Sequence, residues 1–257
     1  MTRCRVFAGA LLALLIIPGA QARQGNPVDA DHARMEAARA HMFHGMGGVH
    51  SMVMVDRFEH LGGGADDALL WDAQGWIGGD ERKFWIKTAG EYALEAGQFD
   101  AAEIQALYSR AISPNFDLQI GLRHDFEPGP STSYAVIGVQ GLAPYWFELD
   151  GALFLSDAGD LTARVEAEYD LLLTQRLVLQ PRAEIQFAAG EIAEHGLGSG
   201  LTQTEFGLRL RYEIRREFAP YIGIEWHDLQ GDTADLARLR GEGASERVIA
   251  AGIRFWF

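Results

Sequence analysis

Thioether and imidazole groups crowd into one short stretch of this chain. All methionines except the initiator lie between Met35 and Met54, and His32, His41, His44 and His50 fall in or beside the same stretch. Its densest part reads His41-Met42-Phe43-His44-Gly45-Met46-Gly47-Gly48-Val49-His50-Ser51-Met52-Val53-Met54. Thioether sulfur is a soft ligand that selects Cu(I), and imidazole serves both copper oxidation states. A hard cation would want oxygen ligands, and structural zinc would usually want cysteine. The residue types therefore point to copper. The candidate ligands are His41, Met42, His44, Met46, His50, Met52 and Met54. The alternative is an ordinary helix whose methionines fill a core.

Two kinds of element must position these groups. From Asp29 to His44 the chain is rich in strong helix formers, with Asp29 or Asp31 as a cap and Gly45, Gly47 and Gly48 as a stop. On such a helix Met42 and Met46 lie one turn apart, and His41 and His44 share a face. From about Val49 the period changes to two. Met52, Met54 and Asp56 then share one face of a strand, and Val53 and Val55 the other. The valines suit lipid, so the Met-Met-Asp line is expected to face a barrel lumen.

Period-two alternation continues to the C-terminus. Phe206, Leu208, Leu210, Tyr212 and Ile214 alternate with Gly207, Arg209, Arg211, Glu213 and Arg215. Twelve such segments can be marked, near 49–60, 68–78, 82–95, 99–112, 115–127, 132–143, 146–156, 161–174, 176–188, 204–216, 218–229 and 246–257. Alternation is weakest at 99–112 and 132–143. Most segments exceed the usual ~5–6 residues of a soluble strand and suit a tilted membrane crossing of ~9–11 residues. Short connections alternate with longer ones, and the longest, near 189–203 and 230–245, fall at the same end. Aromatics gather at strand ends, and the chain closes on Phe255-Trp256-Phe257. The expected fold is all-β: an antiparallel up-and-down transmembrane β-barrel of about twelve strands, preceded by a short helical periplasmic segment. A secreted soluble barrel or sandwich would show the same one-sided alternation.

Arg3 and Arg5 precede an apolar run from Val6 to Ile17 and an Ala20-Gln21-Ala22 exit site, the pattern of a secretory leader. Residues 1–22 read as a signal peptide, 23–48 as a His/Met-rich periplasmic segment and 49–257 as an outer-membrane barrel. The one cysteine, Cys4, would leave with the leader. The formal charge is -14, with 22 basic residues against 36 acidic ones, and loss of Arg3 and Arg5 deepens it by two. Nucleic acid is excluded as a partner, because its phosphates demand a basic face.

Period two also nominates lumenal charges. Asp56, Asp72, Glu91, Glu148, Asp150, Glu166 and Glu168 are the candidates for attracting cations, among arginines and lysines that would pair with many of them. Catalysis has one conceivable pair, Ser109 with His124 on adjacent strands, as in a lipid-modifying barrel enzyme; a general small pore is the other alternative.

Several stretches resemble the copper resistance protein B family of Gram-negative outer membranes. They are Trp71-Asp72-Ala73-Gln74-Gly75-Trp76-Ile77-Gly78-Gly79-Asp80, Phe84-Trp85-Ile86-Lys87-Thr88-Ala89-Gly90-Glu91, Gly138-Val139-Gln140-Gly141-Leu142-Ala143-Pro144-Tyr145-Trp146-Phe147-Glu148 and Leu153-Phe154-Leu155-Ser156-Asp157. The resemblance covers roughly residues 40 to 257. It implies a non-enzymatic outer-membrane barrel that works with periplasmic copper-binding proteins in copper resistance. Many members carry a longer Met- and His-rich N-terminal region than the short one here.

Overall fold

The computed structural model describes residues 48–64, 67–127 and 129–257. His41, Met42, His44 and Met46, the expected leader and the expected N-terminal helix lie outside the described residues. The strands are β1 (His50–Gly62), β2 (Ala68–Gly78), β3 (Arg82–Ala93), β4 (Gln98–Ser113), β5 (Phe116–Glu127), β6 (Thr132–Ala143), β7 (Phe147–Ser156), β8 (Leu161–Glu168), β9 (Leu171–Leu172), β10 (Leu177–Ala188), β11 (Gly200–Tyr212), β12 (Phe218–Leu229) and β13 (Ser245–Trp256). One α-helix, α1 (Gly231–Arg240), lies between β12 and β13.

Strands pair antiparallel with their neighbours, and β13 pairs back onto β1, so the sheet closes. β8 and β9 both pair with β10 and form one stave. The break between them lies opposite Pro181. Tyr169 N–H donates to Pro181 O at 3.1 Å, but proline has no N–H to return the bond. Thirteen segments thus make a closed barrel of twelve staves. Phe257 seals the seam by exchanging two 3.0 Å backbone bonds with Val53.

The alternation in sequence becomes inside and outside. Arg209 and Arg211 are 2% and 3% exposed and point inward, whereas Phe206 and Tyr212 are exposed outward. The outer wall also shows Ile86, Ile120, Leu122, Ile137, Leu153, Val165 and Ile222. A soluble barrel would bury this apolar face. On two strands the inner face is partly apolar too. Leu107 of β4 and Val136 of β6 pack inward with Trp85 and Phe154, which is why alternation weakens there.

The barrel has two unlike rims. One rim holds the start of β1, Phe257 and the short turns; the other holds the linkers 189–199 and 230–244. The second of these contains α1, which the period-two pattern did not reveal. Ala234 and Ala237 of α1 are buried, and Thr233 Oγ1 accepts from Gly198 N–H at 2.9 Å, tying the two long linkers together. β11 begins and ends four residues earlier than its alternation predicted. A tight turn accounts for the early end: Arg215 and Phe218 exchange backbone bonds at 3.1 and 3.2 Å, and Ile214 lies just before that turn, outside the strand.

At the long-linker rim, Trp71, Tyr92 and Phe99 form an outward aromatic group. Trp71 meets Phe99 edge-on at 6.0 Å, and Tyr92 meets Phe99 at 5.0 Å. Trp71 lies directly across from Gly90, and a Cβ there would collide with the indole ring. Gly90→Ala should therefore displace Trp71, although alanine suits a strand better than glycine. A loss of about 1–3 kcal/mol is expected, as for other overpacked sites, together with a shift in tryptophan emission. An unchanged spectrum and an unchanged denaturation midpoint would show the ring is not held by that glycine.

Candidate functional site

The described part of the His/Met cluster lies on β1. His50 is exposed at the first position of the strand, opposite Gly78. Met52 pairs with Trp76, and Met54 with Gln74 on one side and Trp256 on the other. Val53 is 42% exposed on the outer wall. Met54 and Asp56 line the central cavity, so the expected inward line is present along Met52, Met54 and Asp56. The line stops there, because a bulge interrupts the pairing between Val55 and Arg57. The bulge flips the parity of the strand. Asp56 and Arg57 both reach the cavity, and beyond them Glu59 and Leu61 are buried inward.

Met54 is not a free thioether. Arg254 Nη2 donates to Met54 Sδ at 3.6 Å, and Arg254 Nε sits 3.2 Å from Asp56. Gln74 Nε2 donates to the other Asp56 oxygen at 2.8 Å. A cation that used Met54 and Asp56 together would have to displace the guanidinium.

The cavity has a volume of about 410 Å³. Asp56, Asp72, Glu103, Glu148, Asp150, Glu166 and Glu168 line it, against Arg57, Lys87, Arg164, Arg209 and Arg254. Every carboxylate nominated from period two reaches it except Glu91. Glu91 sits two residues from the end of β3, at the long-linker rim. Gln74, Gln105, Gln119, Gln140 and Gln180 add a set of amides.

The acids are ordered by register. Asp117 of β5 pairs with Gln140, Gln140 with Asp150, Asp150 with Glu166, Glu166 with Glu184, Glu184 with Glu205, Glu205 with His227, and His227 with Glu246 of β13. In a closed barrel with tilted strands, such a row winds round the wall and climbs along the axis. It starts one residue into β5 at the short-turn rim and ends one residue into β13 at the other. Like charges directly opposite each other destabilise a sheet, so this row needs compensation. Arg182 supplies most of it, at 2.6 Å from Glu166, 3.6 Å from Glu168 and 3.2 Å from Glu205, and in contact with Glu184.

Other pairs cross the lumen between staves that are not neighbours. Lys87 of β3 meets Asp150 of β7 at 2.6 Å. Arg164 of β8 meets Glu103 of β4 at 3.2 Å. Arg209 of β11 holds both carboxylate oxygens of Glu59 on β1, at 3.0 and 3.2 Å, and contacts Glu225. These bars narrow the passage. Among the described residues, no group of three or more His, Cys, Asp or Glu side chains is arranged to hold a metal ion.

Ser109 and His124 do not form a pair. Ser109 is buried inside and bonds Asp117 at 3.2 Å. His124 follows the outward parity of Ile120 and Leu122 and meets Phe126 edge-on at 4.7 Å. The wall separates the two residues.

The fold and sequence both have known counterparts. The NanC porin aligns with a TM-score of 0.52 at 12% identity, over 79% of this chain and 98% of its own. The KdgM porin aligns at 0.51 with 10% identity, over 81% and 99%. At such identities the likeness is one of fold alone. Copper resistance protein B of Escherichia coli is 44% identical over 209 residues, which are 81% of this chain and 70% of that protein. The copper resistance protein B homolog of Pseudomonas syringae pv. tomato is 40% identical over 241 residues, 93% of this chain and 81% of its own. The family described as "Copper resistance protein B precursor (CopB)" matches residues 49–257, the whole of the barrel. The chain belongs to the copper resistance protein B family.

Proposed function

We propose that this barrel resides in the outer membrane and handles copper as cargo, taking it up through His and Met ligands near the short-turn rim. The observation that carries this reading is the inward line of Met52, Met54 and Asp56, which leads from the start of β1 into a cavity lined by carboxylates. His41, Met42, His44 and Met46 would receive copper just before that line, at the periplasmic face, and His50 stands at its entrance. Periplasmic copper-binding proteins are the donors or acceptors that such a site would serve. The apolar outer wall and the leader pattern support the membrane location. The role is one of binding and transfer, without a catalytic step.

The order of ligand types fits a cargo that is held softly at the entrance and electrostatically inside. Thioethers favour Cu(I), and carboxylates favour any cation in a lumen of low dielectric. The test is a titration of the purified mature protein with Cu(I) and with Cu(II), each against a competing chelator, beside a copper-tolerance assay in cells that lack the endogenous protein. Stoichiometric binding and restored tolerance are expected. A protein that binds neither ion, yet conducts monovalent salts freely in a planar bilayer, would be a general small pore.

A further inference from the structure

On the outer wall at the short-turn rim, Arg82 of β3 and Arg110 of β4 lie directly opposite each other. The Ala111 N–H donates to Glu81 O at 2.9 Å, so the next pair inward, Arg82 with Arg110, is a non-hydrogen-bonded one. Such pairs stand closest in an antiparallel ladder, with Cα atoms about 4.5 Å apart. Both arginines are exposed, and both share outward parity with the residues that follow them on the wall. Phe84 and Tyr108 form the neighbouring outward pair, 48% and 49% exposed. Two guanidinium groups in this position repel each other.

Neither side chain has a hydrogen bond or ion pair among the described residues. Asp80 and Glu81 stand in the adjoining turn and pair with neither. Lys83, one residue on, turns inward and finds Asp117 at 2.9 Å. The lumenal cation at this level is compensated, and the two outer ones are not.

We infer that Arg82 and Arg110 together clamp the phosphate of an anionic phospholipid headgroup. Two guanidinium groups carried by directly opposed residues can both donate to one phosphate, and charge-assisted bonds of this type are the strong ones. The position selects a lipid over a soluble anion. The clamp faces outward, beside aromatic side chains of the kind that sit at headgroup level in barrels. Its rim also carries exposed Arg176, Arg215 and Arg216, none of them ion-paired among the described residues. The opposite rim carries Glu191, Glu194, Asp232, Asp235 and Glu242 in its long linkers, and its two linker arginines, Arg238 and Arg240, are already paired with Asp235 and Glu242. This inference rests on the membrane reading above, and adds to it a specific lipid contact and a side of the bilayer.

The experiment is native mass spectrometry of the full mature protein released from detergent, titrated with phosphatidylglycerol, phosphatidylcholine or inorganic phosphate. Phosphatidylglycerol adducts are expected to persist on the parent and to fall at least fivefold in the R82Q/R110Q variant. The R82K/R110K variant, which keeps charge without the fork, should fall between them. Heat-modifiable gel mobility verifies that each variant is folded. Equal retention of phosphatidylglycerol by parent and R82Q/R110Q would overturn the clamp. Inorganic phosphate bound as well as the lipid would overturn the lipid assignment. A chain that fractionates with soluble proteins would instead refute the membrane reading itself.

Discussion

Arg209→Met should be the most damaging single substitution in the barrel, with a loss of about 3–5 kcal/mol, the usual cost of stranding a buried charge. Arg209 is 2% exposed and holds Glu59, which is 1% exposed, through two hydrogen bonds. It also touches Glu225, and its guanidinium lies 5.8 Å from the Tyr221 ring. Methionine keeps much of the volume but none of the charge. Glu225 would retain His227 at 3.1 Å; Glu59 would retain no cation within ion-pair distance among the described residues. Because the pair joins β1 to β11 across β12 and β13, its loss also loosens the seam where the barrel closes. The urea midpoint in lipid vesicles, followed by tryptophan emission, reads the effect. Adding Glu59→Gln and Glu225→Gln to the same chain should recover most of the loss, since a neutral trio strands nothing. If Arg209→Met alone unfolds at the parental midpoint, water reaches these carboxylates and the lumen is wetter than the packing implies.

Glu59 also shows where sequence reading falls short. Strict alternation from Met52 through Asp56 puts odd-numbered residues of β1 on the outer wall, and by that rule Glu59 would face lipid. One bulged residue reverses the rule, and no pattern in the sequence announces it. The charge itself was the available signal: an acid between Phe58 and His60 on a lipid face costs too much to be read at face value. Elsewhere the period was a reliable guide because the two faces differ so sharply, as in Arg209 and Arg211 against Phe206 and Tyr212. It faded in β4 and β6, where Leu107 and Val136 put apolar side chains on the inner face as well. α1 escaped notice because a ten-residue helix with three buried small residues leaves only a faint period of its own. Cross-lumen pairing was out of reach in principle. That Lys87 meets Asp150, and Arg164 meets Glu103, depends on the tilt and closure of the sheet, which no single strand encodes.

Copper(I) binding should depend on the thioethers. Replacing Met42, Met46, Met52 and Met54 by leucine preserves volume and should leave the barrel folded. The variant is expected to bind Cu(I) at least about tenfold more weakly, equivalent to about 1.4 kcal/mol. Cu(II) affinity should change less, because imidazole can still serve it. Mild acidification discriminates in the opposite sense. A free imidazole is half protonated at about pH 6.5 and thioethers do not titrate in this range, so Cu(II) binding should weaken more than Cu(I) binding. The structure also ranks the two methionines of β1. Met54 Sδ already accepts from Arg254 at 3.6 Å, and the same guanidinium neutralises Asp56. A cation arriving at Met54 meets a positive charge, whereas Met52 faces Trp76 across the strand, and the Lys83 ammonium over that ring already has Asp117 as its counter-ion at 2.9 Å. Met52→Leu should therefore weaken Cu(I) binding more than Met54→Leu. Arg254→Gln should have the reverse effect and tighten it, by releasing Met54 and Asp56 as a soft and a hard ligand on one face. Chelator-competition titrations on the folded variants measure all of these. If the four-leucine variant binds Cu(I) as tightly as the parent and still confers copper tolerance, the thioether path is wrong. The methionines of β1 would then be packing residues at the entrance of a barrel that moves copper by its carboxylates alone.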